Sequence, residues 1–247
     1  MGSPGNALSV EERRRHRALT VVIPVYNEAS NFPGLWQAIT ESVHSEFVAI
    51  VVYDFDADNT IPVVQLIIDR GERRLRLLKN SIGPGVVGAI RTGFNTVTEG
   101  PVLVVMADLC DDLRVVDAML QLYRQGYDVV VGSRYMPGGG IEGGPFLKKM
   151  LSRMAGVSLH YLRGLPTHDA TNAFKVYDGA MLHAMQIENR LGFELNLELT
   201  VKAFLRGRGI AEVPSVWKDR TAGESRFRLW KWLPHYLRWY LYAFRPR

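Results

Sequence analysis

The 247-residue sequence contains a single cysteine, Cys110, and no long hydrophobic run. One cysteine excludes an internal disulfide, so a packed core must stabilise the chain, and a reducing compartment is the simpler expectation. No stretch approaches the roughly 20 apolar residues that cross a bilayer as a helix. Internal repeats and a linker that would divide the chain are also missing. Since 47% of the residues are hydrophobic, we expect one large domain.

The proportion of charged residues is ordinary for a globular protein. Asp, Glu, Lys and Arg make up 22% of the chain, which argues against intrinsic disorder. The formal net charge of +5 favours an anionic partner such as a phosphate ligand, an acidic lipid or nucleic acid. The basic residues surround a glycine-rich loop rather than a face that fits a nucleic-acid groove. This distribution argues against nucleic acid.

Short apolar runs alternate with helical patterns in the first half of the chain. The pattern predicts strands over residues 20–25, 47–53, 75–79, 101–107 and 127–132, and helices over residues 31–43, 60–70, 86–97 and 112–125. This alternation is typical of an α/β fold with a mainly parallel, doubly wound sheet and helices on both faces. Ligands bind beyond the carboxyl ends of such strands.

The second half is less regular. It begins with a glycine-rich loop at residues 137–144. Helices are predicted over residues 146–162 and 194–205, strands over residues 171–177 and 210–216, and an amphipathic helix at the C-terminus.

Acidic residues follow two of the predicted strands. Asp54 and Asp58 come after the second strand, and Asp108, Asp111 and Asp112 come after the fourth. Carboxylates at one edge of a sheet repel each other, so a divalent cation or ligand donors are expected to compensate. The alternative is that these residues are helix caps and turn residues, since Asp favours both. We favour the ligand role for Asp54 with Asp108, and the cap for Asp112.

Residues 83–88 read G-P-G-V-V-G, which matches the dinucleotide-binding pattern G-x-G-x-x-G. That pattern belongs directly after the first strand, whereas here it follows the third, with residues 80–82 between. An NAD-type fold is therefore disfavoured. A glycine-rich turn before a helix can still hold a phosphate or allow a ligand to approach closely.

Five segments occur in an order that characterises one enzyme family. They are I-P-V-Y-N-E at 23–28, Y-D-F-D-A-D-N-T at 53–60, S-R-Y-M-P-G-G-G-I-E-G at 133–143, D-A-T-N-A-F at 169–174 and D-R-T-A-G-E-S-R at 219–226. In this order the chain resembles family 2 glycosyltransferases of the GT-A fold, and more narrowly their dolichyl-phosphate mannosyltransferase-like branch. The resemblance runs from about residue 20 to residue 228.

The resemblance implies an enzyme of cell-envelope or glycan biosynthesis. It would move a sugar from a GDP- or UDP-sugar to a polyprenyl or dolichyl phosphate, with inversion. The expected catalytic residues are Asp108 and Arg220, with Asp169 as the base if the acceptor is a sugar hydroxyl. By their charge, Arg134, Lys148 and Arg153 are candidates to hold the acceptor phosphate. The alternative for the basic helix is a solvated face whose Lys and Arg stems cover apolar neighbours. The implied nucleotide-sugar-binding residues are Pro24, Tyr26, Glu28, Val52, Asp54, Asp58, Gly83, Gly85, Ala107, Asp108, Met136, Glu194, Arg220 and Arg226.

The sequence departs from the family at the metal site. The family's D-A-D-x-Q reads M-A-D-L-C at residues 106–110, so that only Asp108 remains. A thioether and a thiol are poor ligands for Mg²⁺, which prefers oxygen. Three arrangements are open. In the first, Asp111 or Asp112 binds the cation together with Asp108. In the second, Asp108, water and the diphosphate hold the cation, and in the third, Arg and Lys side chains replace it. We favour the second arrangement, with Mg²⁺ or Mn²⁺ as the cofactor.

Other functions stay open at this point. If the acceptor is a sugar hydroxyl of a glycan, a carboxylate must take a proton, with Asp169 as first candidate and Glu194 as second. A nucleotide-sugar-binding protein without catalysis also fits the reduced metal motif. A sugar-phosphate nucleotidyltransferase would carry a loop rich in Gly and Arg after the first strand, where this chain has V-Y-N-E at 25–28.

Three segments are expected along the chain. They are a flexible basic N-terminus at residues 1–18, the GT-A domain at 19–228, and an aromatic and basic interfacial helix at 229–247. The last would place its rings at headgroup depth and its cations on anionic lipid. The alternative is a helix packed on the domain with its tryptophans in the core. The membrane alternative predicts a protein bound peripherally to the cytoplasmic, inner face of a membrane. The oligomeric state is not indicated.

Overall fold

The computed structural model describes residues 9–190, 192–219 and 229–246. The strands are β1 (Leu19–Pro24), β2 (Phe47–Tyr53), β3 (Leu75–Lys79), β4 (Pro101–Val104), β5 (Val129–Ser133), β6 (Gly140–Glu142), β7 (Lys175–Asp178), β8 (Ile210–Pro214) and β9 (Val216–Lys218). The helices are α1 (Val10–Arg15), α2 (Phe32–Ser42), α3 (Thr60–Asp69), α4 (Val86–Phe94), α5 (Val116–Arg124), α6 (Phe146–Arg163), α7 (Gly179–His183), α8 (Leu195–Leu205) and α9 (Leu229–Tyr242). A short 3-10 helix, Leu113–Val115, precedes α5.

Seven strands form one sheet in the order β3-β2-β1-β4-β7-β5-β8. β1 pairs in parallel with β2 and β4, and β2 pairs in parallel with β3. β7 is antiparallel to both β4 and β5, whereas β8 is parallel to β5. β6 and β9 form a separate two-stranded parallel sheet. The predicted mainly parallel sheet is confirmed.

Two hydrophobic cores cover the two faces of the sheet. Alternate residues of β1 serve both cores: Val21 and Ile23 belong to the core that includes Trp36 of α2, while Val22 belongs to the core that includes Phe94 of α4. Side chains alternate between the faces of a strand, so a strand buried on both faces must be apolar throughout. This is why its sequence, L-T-V-V-I-P, shows no polar alternation.

Some strands begin or end at residues other than those predicted from the sequence. β4 ends at Val104 rather than residue 107, because the chain then turns through Leu109, whose φ of 59° is left-handed. The strand predicted over 210–216 is divided at Ser215, whose N–H donates to the Ser133 carbonyl and whose carbonyl accepts from Gly140. β6 and β9 have three residues each. Such short strands show no usable periodicity, so the sequence gives no sign of them.

The segment from residue 1 to residue 18 is predicted to be flexible, but residues 10–15 form α1. Its last residue, Arg15, is buried and donates to the carbonyls of Tyr123 and Tyr127 at 2.9 and 3.1 Å. The same guanidinium pairs with Asp128 at 3.2 Å. Residues 1–8 lie outside the described residues. The docked part of the segment is therefore held by one buried cation.

Four aromatic rings of the C-terminal helix α9 pack on the domain. Trp239 is 2% exposed and belongs to the core, and Tyr236, Tyr240 and Tyr242 pack against that core. This corrects the expectation that these rings lie at headgroup depth. Within the described residues, no helix combines the length and apolar character needed to cross a bilayer.

We predict that Arg15→Ala lowers the free energy of unfolding by about 3 kcal/mol, because the buried Asp128 carboxylate loses its cation. Chemical denaturation measures this change. Arg17→Ala is the control: Arg17 pairs with Glu99 at an exposed position, where an ion pair contributes about 0–1 kcal/mol. Equal losses for the two variants would contradict the anchoring role of Arg15.

Candidate active site

Parallel strands bring two carboxylates to one edge of the sheet. Asp54 follows β2 directly, and Asp108 lies in the turn after β4. β1 is parallel to both strands and lies between them, so their carboxyl ends point the same way, about 10 Å apart by strand spacing. The topology therefore places Asp54 and Asp108 on the same edge, where α/β proteins bind ligands.

Asp54 organises the turn that leads into α4. Its two carboxylate oxygens accept hydrogen bonds from the Asn80 side chain and the Gly85 N–H, both at 2.7 Å. The same Asn80 amide donates to the Gly83 carbonyl at 2.6 Å. The turn borders an open cavity of about 260 Å³ lined by Asp54, Asn80, Ser81, Ile82, Gly83 and Pro84. A ligand in this cavity would contact polar groups that are held in place by these hydrogen bonds.

The glycines of residues 83–88 have a local structural reason. Gly85 precedes α4 with a φ of 100°, which side-chain-bearing residues rarely adopt. A Cβ on Gly88 would lie 1.8 Å from the Gly83 carbonyl oxygen. The pattern thus reflects a tight turn packed on its own helix, and it requires no dinucleotide.

The loop after β1 is fastened by Asp58. This residue is 1% exposed, and its carboxylate accepts from the Asn27 N–H at 3.1 Å and the Thr60 N–H at 2.8 Å. The Asp58 carboxylate therefore positions the loop, while its predicted place in the nucleotide-sugar site stays a prediction. Tyr26 is 44% exposed and lies edge-on to Phe55, with ring centroids 5.3 Å apart, so its ring is open to a ligand.

Several other predicted donor-site residues lie near this edge with different exposure. Val52 and Ala107 are buried, so a ligand would contact them through their backbone. Pro24 is buried at the end of β1, and the Glu28 carboxylate accepts from Asn31 at 2.8 Å. Met136 is half-buried in the loop after β5.

The turn after β4 holds two acidic residues in electrostatic contact. Burial and the neighbouring Asp108 together raise the pKa of Asp111 to about 7, and Arg134 opposes the shift. Two carboxylates this close repel each other, and a cation between them would relieve the repulsion. Asp108 and Asp111 are therefore the residues that fit a divalent cation. In the part of the chain that is described, no group of three His, Cys, Asp or Glu residues has metal-binding geometry. The remaining ligands would thus be diphosphate and water oxygens.

The oxygens of Asp112 have other partners. Its oxygens accept from the Arg114 backbone N–H at 3.2 Å and from the Arg114 guanidinium at 2.7 and 2.9 Å. It caps the 3-10 helix before α5. The prediction of a cap is confirmed, and the contacts of Asp112 with Arg114 argue against its alternative role as a metal ligand.

Arg134 and Asp169 form a buried, bidentate ion pair. The guanidinium Nε and Nη2 donate to the two Asp169 oxygens at 2.7 and 2.9 Å. Burial by itself raises the pKa of Asp169, but Arg134 outweighs it and holds that pKa below its usual value. A fully buried carboxylate paired in this way is a poor proton acceptor. The pairing argues against Asp169 as the base that a hydroxyl acceptor would need, and it shows that Arg134 is already partnered by a carboxylate.

Lys175 is a buried cation that sequence reasoning overlooks. It is 0% exposed, and its ammonium donates to the carbonyls of Ala170 at 2.7 Å and Asn196 at 3.4 Å. Burial lowers the pKa of Lys175 to about 7, and Asp169 opposes this shift. Its position within the apolar run A-F-K-V-Y is the sequence feature that could have indicated a buried lysine. It links the loop of Asp169 to the first turn of α8.

Glu194, at the start of α8, is 2% exposed, and burial raises the pKa of its carboxyl. One of its oxygens has no hydrogen-bond partner among the described residues. Tyr236 of α9 lies within electrostatic range of Glu194 and Arg134, and the sequence does not single it out. A buried acceptor of this kind fits a hydroxyl donor from a ligand.

The structure describes the basic residues predicted for the acceptor phosphate but not those predicted for the donor phosphates. Lys148 and Arg153 lie in the first half of α6, beside the active site, because the Tyr135 hydroxyl contacts Ser152 and the Lys149 carbonyl. Lys148 is half-buried and Arg153 is exposed. The predicted phosphate-binding residues Arg220 and Arg226 lie outside the described residues.

Sequence comparison relates the chain to known enzymes. Residues 20–184 match the family described as Glycosyl transferase family 2. The chain is 28% identical over 229 residues to the dolichol-phosphate mannosyltransferase of Pyrococcus furiosus, covering 89% of this chain and 63% of that relative's length. It is 27% identical over 211 residues to the polyprenol monophosphomannose synthase of Mycolicibacterium smegmatis, covering 83% of this chain and 79% of the relative.

Solved structures share the fold. The glucosyl-3-phosphoglycerate synthase of Mycobacterium tuberculosis, in complex with Mn²⁺, UDP-glucose and phosphoglyceric acid, superimposes with a TM-score of 0.69 at 16% identity. The superposition covers 98% of this chain and 85% of that one. The fold is therefore GT-A, as the sequence predicts.

We predict that Lys175→Met removes a pH-dependent part of the stability. The folded pKa of about 7 is below the unfolded value near 10.4. The unfolded chain therefore binds more protons between pH 7 and pH 10.4, and stability rises with pH across that window. Between pH 7 and pH 10, the free energy of unfolding should rise by about 3 kcal/mol more in the wild type than in the variant. Denaturation at both pH values measures this difference. The exposed Lys79→Met is the control, and an unchanged pH profile in Lys175→Met would contradict the buried titration.

Proposed function

Because this chain belongs to glycosyl transferase family 2, we propose that it transfers a sugar from a GDP- or UDP-sugar to a polyprenyl phosphate, with inversion. Enzymes of this family use nucleotide-sugar donors. The observation that carries the proposal is the grouping of Asp108, Asp111 and Arg134 at the carboxyl edge of the sheet. The two relatives named for dolichol-phosphate and polyprenol sugar transfer support the choice of acceptor.

The donor would lie between the Asp54 turn and the Asp108 turn. The base and ribose fit beside Tyr26 and the cavity at Asp54, whereas the diphosphate fits at Asp108 and Asp111. Mg²⁺ or Mn²⁺ bound by these two carboxylates would supply positive charge for the leaving diphosphate. From the sequence, Arg220 and Arg226 are proposed to contact the same phosphates. The unpartnered oxygen of Glu194 is suited to accept a hydrogen bond from a sugar hydroxyl.

The acceptor chemistry follows from the pairing of Asp169. A phosphate is already anionic, so its oxygen can attack the anomeric carbon without a base while the bond to the diphosphate breaks. A hydroxyl acceptor would need a carboxylate to take its proton, and Asp169 is committed to Arg134. We therefore favour the lipid phosphate. Lys148 and Arg153 would attract it, whereas the charge of Arg134 is largely balanced by Asp169. The protein would act peripherally at the cytoplasmic face of a membrane.

We predict that Asp108→Asn lowers turnover by about 10³-fold, since the charge that positions the cation is lost. The assay follows transfer from GDP-mannose and UDP-glucose to a short, water-soluble polyprenyl phosphate, with Mn²⁺ present. Asp112→Asn is the matched control four residues away, because its carboxylate serves only as a cap. Its rate should stay within a few-fold of the wild type.

Two outcomes would contradict the proposal. An undiminished rate in Asp108→Asn would remove this residue from the site. Thermal stabilisation of the wild type by a nucleotide sugar, without turnover on any acceptor, would indicate a binding protein instead.

We also predict that Arg153→Gln raises the KM for the soluble polyprenyl phosphate about five- to tenfold and leaves kcat nearly unchanged, because it removes one phosphate-binding charge. Initial-rate kinetics separates the two constants. Arg76→Gln, which removes another exposed charge on β3, should change neither. A lower kcat with an unchanged KM would show that Arg153 acts elsewhere.

A further inference from the structure

The loop that carries Asp169 is fastened by Glu212, a carboxylate on the edge strand β8. Glu212 Oε2 accepts hydrogen bonds from the Thr167 hydroxyl at 2.9 Å and from the His168 backbone N–H at 2.8 Å. The other oxygen, Oε1, is bonded to His168 Nδ1 at 2.6 Å. The Glu212 side chain is only 12% exposed. One partly buried carboxylate therefore ties two neighbouring loop residues to the sheet.

The contacts of Glu212 continue directly to Asp169. The Thr167 hydroxyl, which donates to Glu212, accepts a hydrogen bond from the Asp169 backbone N–H at 3.0 Å. A hydroxyl has one proton, so its donation to Glu212 turns its lone pairs toward other donors such as this N–H. Thr167 is 0% exposed, which closes the hydroxyl to bulk water. Since Asp169 pairs with Arg134, a short chain of contacts joins Glu212 to the Arg134 guanidinium.

The sheet fixes the two ends of this chain relative to each other. Glu212 lies opposite Val131 in the parallel pair of β8 and β5. β5 ends at Ser133, directly before Arg134. Both ends of the chain of contacts are thus attached to one pair of strands. A closed arrangement of this kind restricts where the Asp169 carboxylate can lie.

The imidazole of His168 is also held from the side of α6. The His160 ring stacks on it, with centroids 3.9 Å apart and an angle of 28° between the planes. His160 Nδ1 is itself bonded to the Leu165 carbonyl at 2.8 Å. A Cβ at Gly156 of α6 would lie 2.2 Å from the His168 carbonyl oxygen. Because a carboxylate only accepts hydrogen bonds, His168 Nδ1 carries the proton shared with Glu212. The loop is therefore packed between α6 and β8.

We propose that Glu212 is a positioning residue for the Arg134–Asp169 pair. It acts through the hydrogen bonds of Thr167 and His168, and in this role it contacts neither donor nor acceptor. An arginine stabilises the charge of a leaving diphosphate best when its position is fixed before the reaction. By holding Asp169, Glu212 fixes the guanidinium at the carboxyl edge of the sheet. The inference rests on the proposed sugar transfer and names the residue that keeps its site in order.

The direct test follows the Arg134 Nε–H, which donates to Asp169, in proton–nitrogen correlation NMR spectra of the full chain. Its signal is assigned by its disappearance in Arg134→Lys. Glu212→Gln replaces one accepting oxygen by an amide group that cannot accept, and should raise the exchange rate of this N–H with water about fivefold or more. The Arg15 Nε–H, which donates to Glu11, is the internal reference for general loosening and should exchange as in the wild type.

Two substitutions of His168 separate its hydrogen bond from the volume of its ring. His168→Leu removes the donor to Glu212 and should accelerate exchange at Arg134 as Glu212→Gln does. His168→Asn keeps an N–H near the position of Nδ1 and should restore the wild-type rate to within about twofold. Glu72→Gln is the matched control. Glu72 is 18% exposed and accepts three hydrogen bonds from Arg74, at 3.0, 2.9 and 2.8 Å, and its replacement should leave the Arg134 signal unchanged.

Turnover connects the positioning to the reaction. With a nucleotide sugar and the soluble polyprenyl phosphate, Glu212→Gln should lower kcat about tenfold and change the KM for the donor less than about twofold, since the Asp54 turn is untouched. Arg134→Lys keeps the charge but loses the bidentate pair. In that background the same substitution should lower kcat less than about twofold, because the pair that it supports is already gone.

Four results would overturn the inference. They are an unchanged exchange rate at Arg134 in Glu212→Gln, equal acceleration at Arg15, no recovery in His168→Asn, and additive losses of kcat in the double variant. The last would show that Glu212 only stabilises the fold. A wild type without turnover would instead contradict the proposed function, because the exchange rates measure the positioning of Arg134 without any substrate.

Discussion

The ion pair between Arg134 and Asp169 is the interaction on which the site depends. Breaking such a buried pair costs roughly 3–5 kcal/mol, because the remaining charge stays in the interior. Asp169 also accepts from the Asn172 N–H, and Lys175 extends the cluster to the first turn of α8. The strand β5, the loop of Asp169 and helix α8 are therefore held in one arrangement. That arrangement positions Arg134 beside Asp111 and leaves Asp169 without the freedom to accept a proton.

The fold was largely predictable because the physical rules behind it are local. Strands buried on both faces must be apolar throughout, and β1 and β2 show this without interruption. The limits of α3 and α6 also follow from their periodicity. β7 is different, since its antiparallel direction between β4 and β5 depends on pairing with distant residues. No feature of the sequence K-V-Y-D indicates that direction.

The position of the candidate site in the fold could be predicted from the sequence, but the roles of its individual residues less so. Strand ends identified Asp54 and Asp108, because topology alone fixes where those residues go. The role of each side chain depends on the hydrogen-bond and ion-pair partners that the fold gives it, and these partners come from distant parts of the sequence. Asp58 and Asp169 carry the right charge for ligand chemistry, yet backbone amides and Arg134 occupy their oxygens. The pairing of Asp169 involves residues 35 positions apart, which a motif cannot express.

The docking of α9 on the domain has a geometric consequence. Because Trp239 is locked in the core, the helix cannot roll about its own axis, and its outer leucines point in one fixed direction. The C-terminal helix therefore moves with the domain as one body, at a constant inclination to the sheet. Any group that binds the outer side of α9 would be held at a fixed distance from the strand ends that carry Asp54 and Asp108.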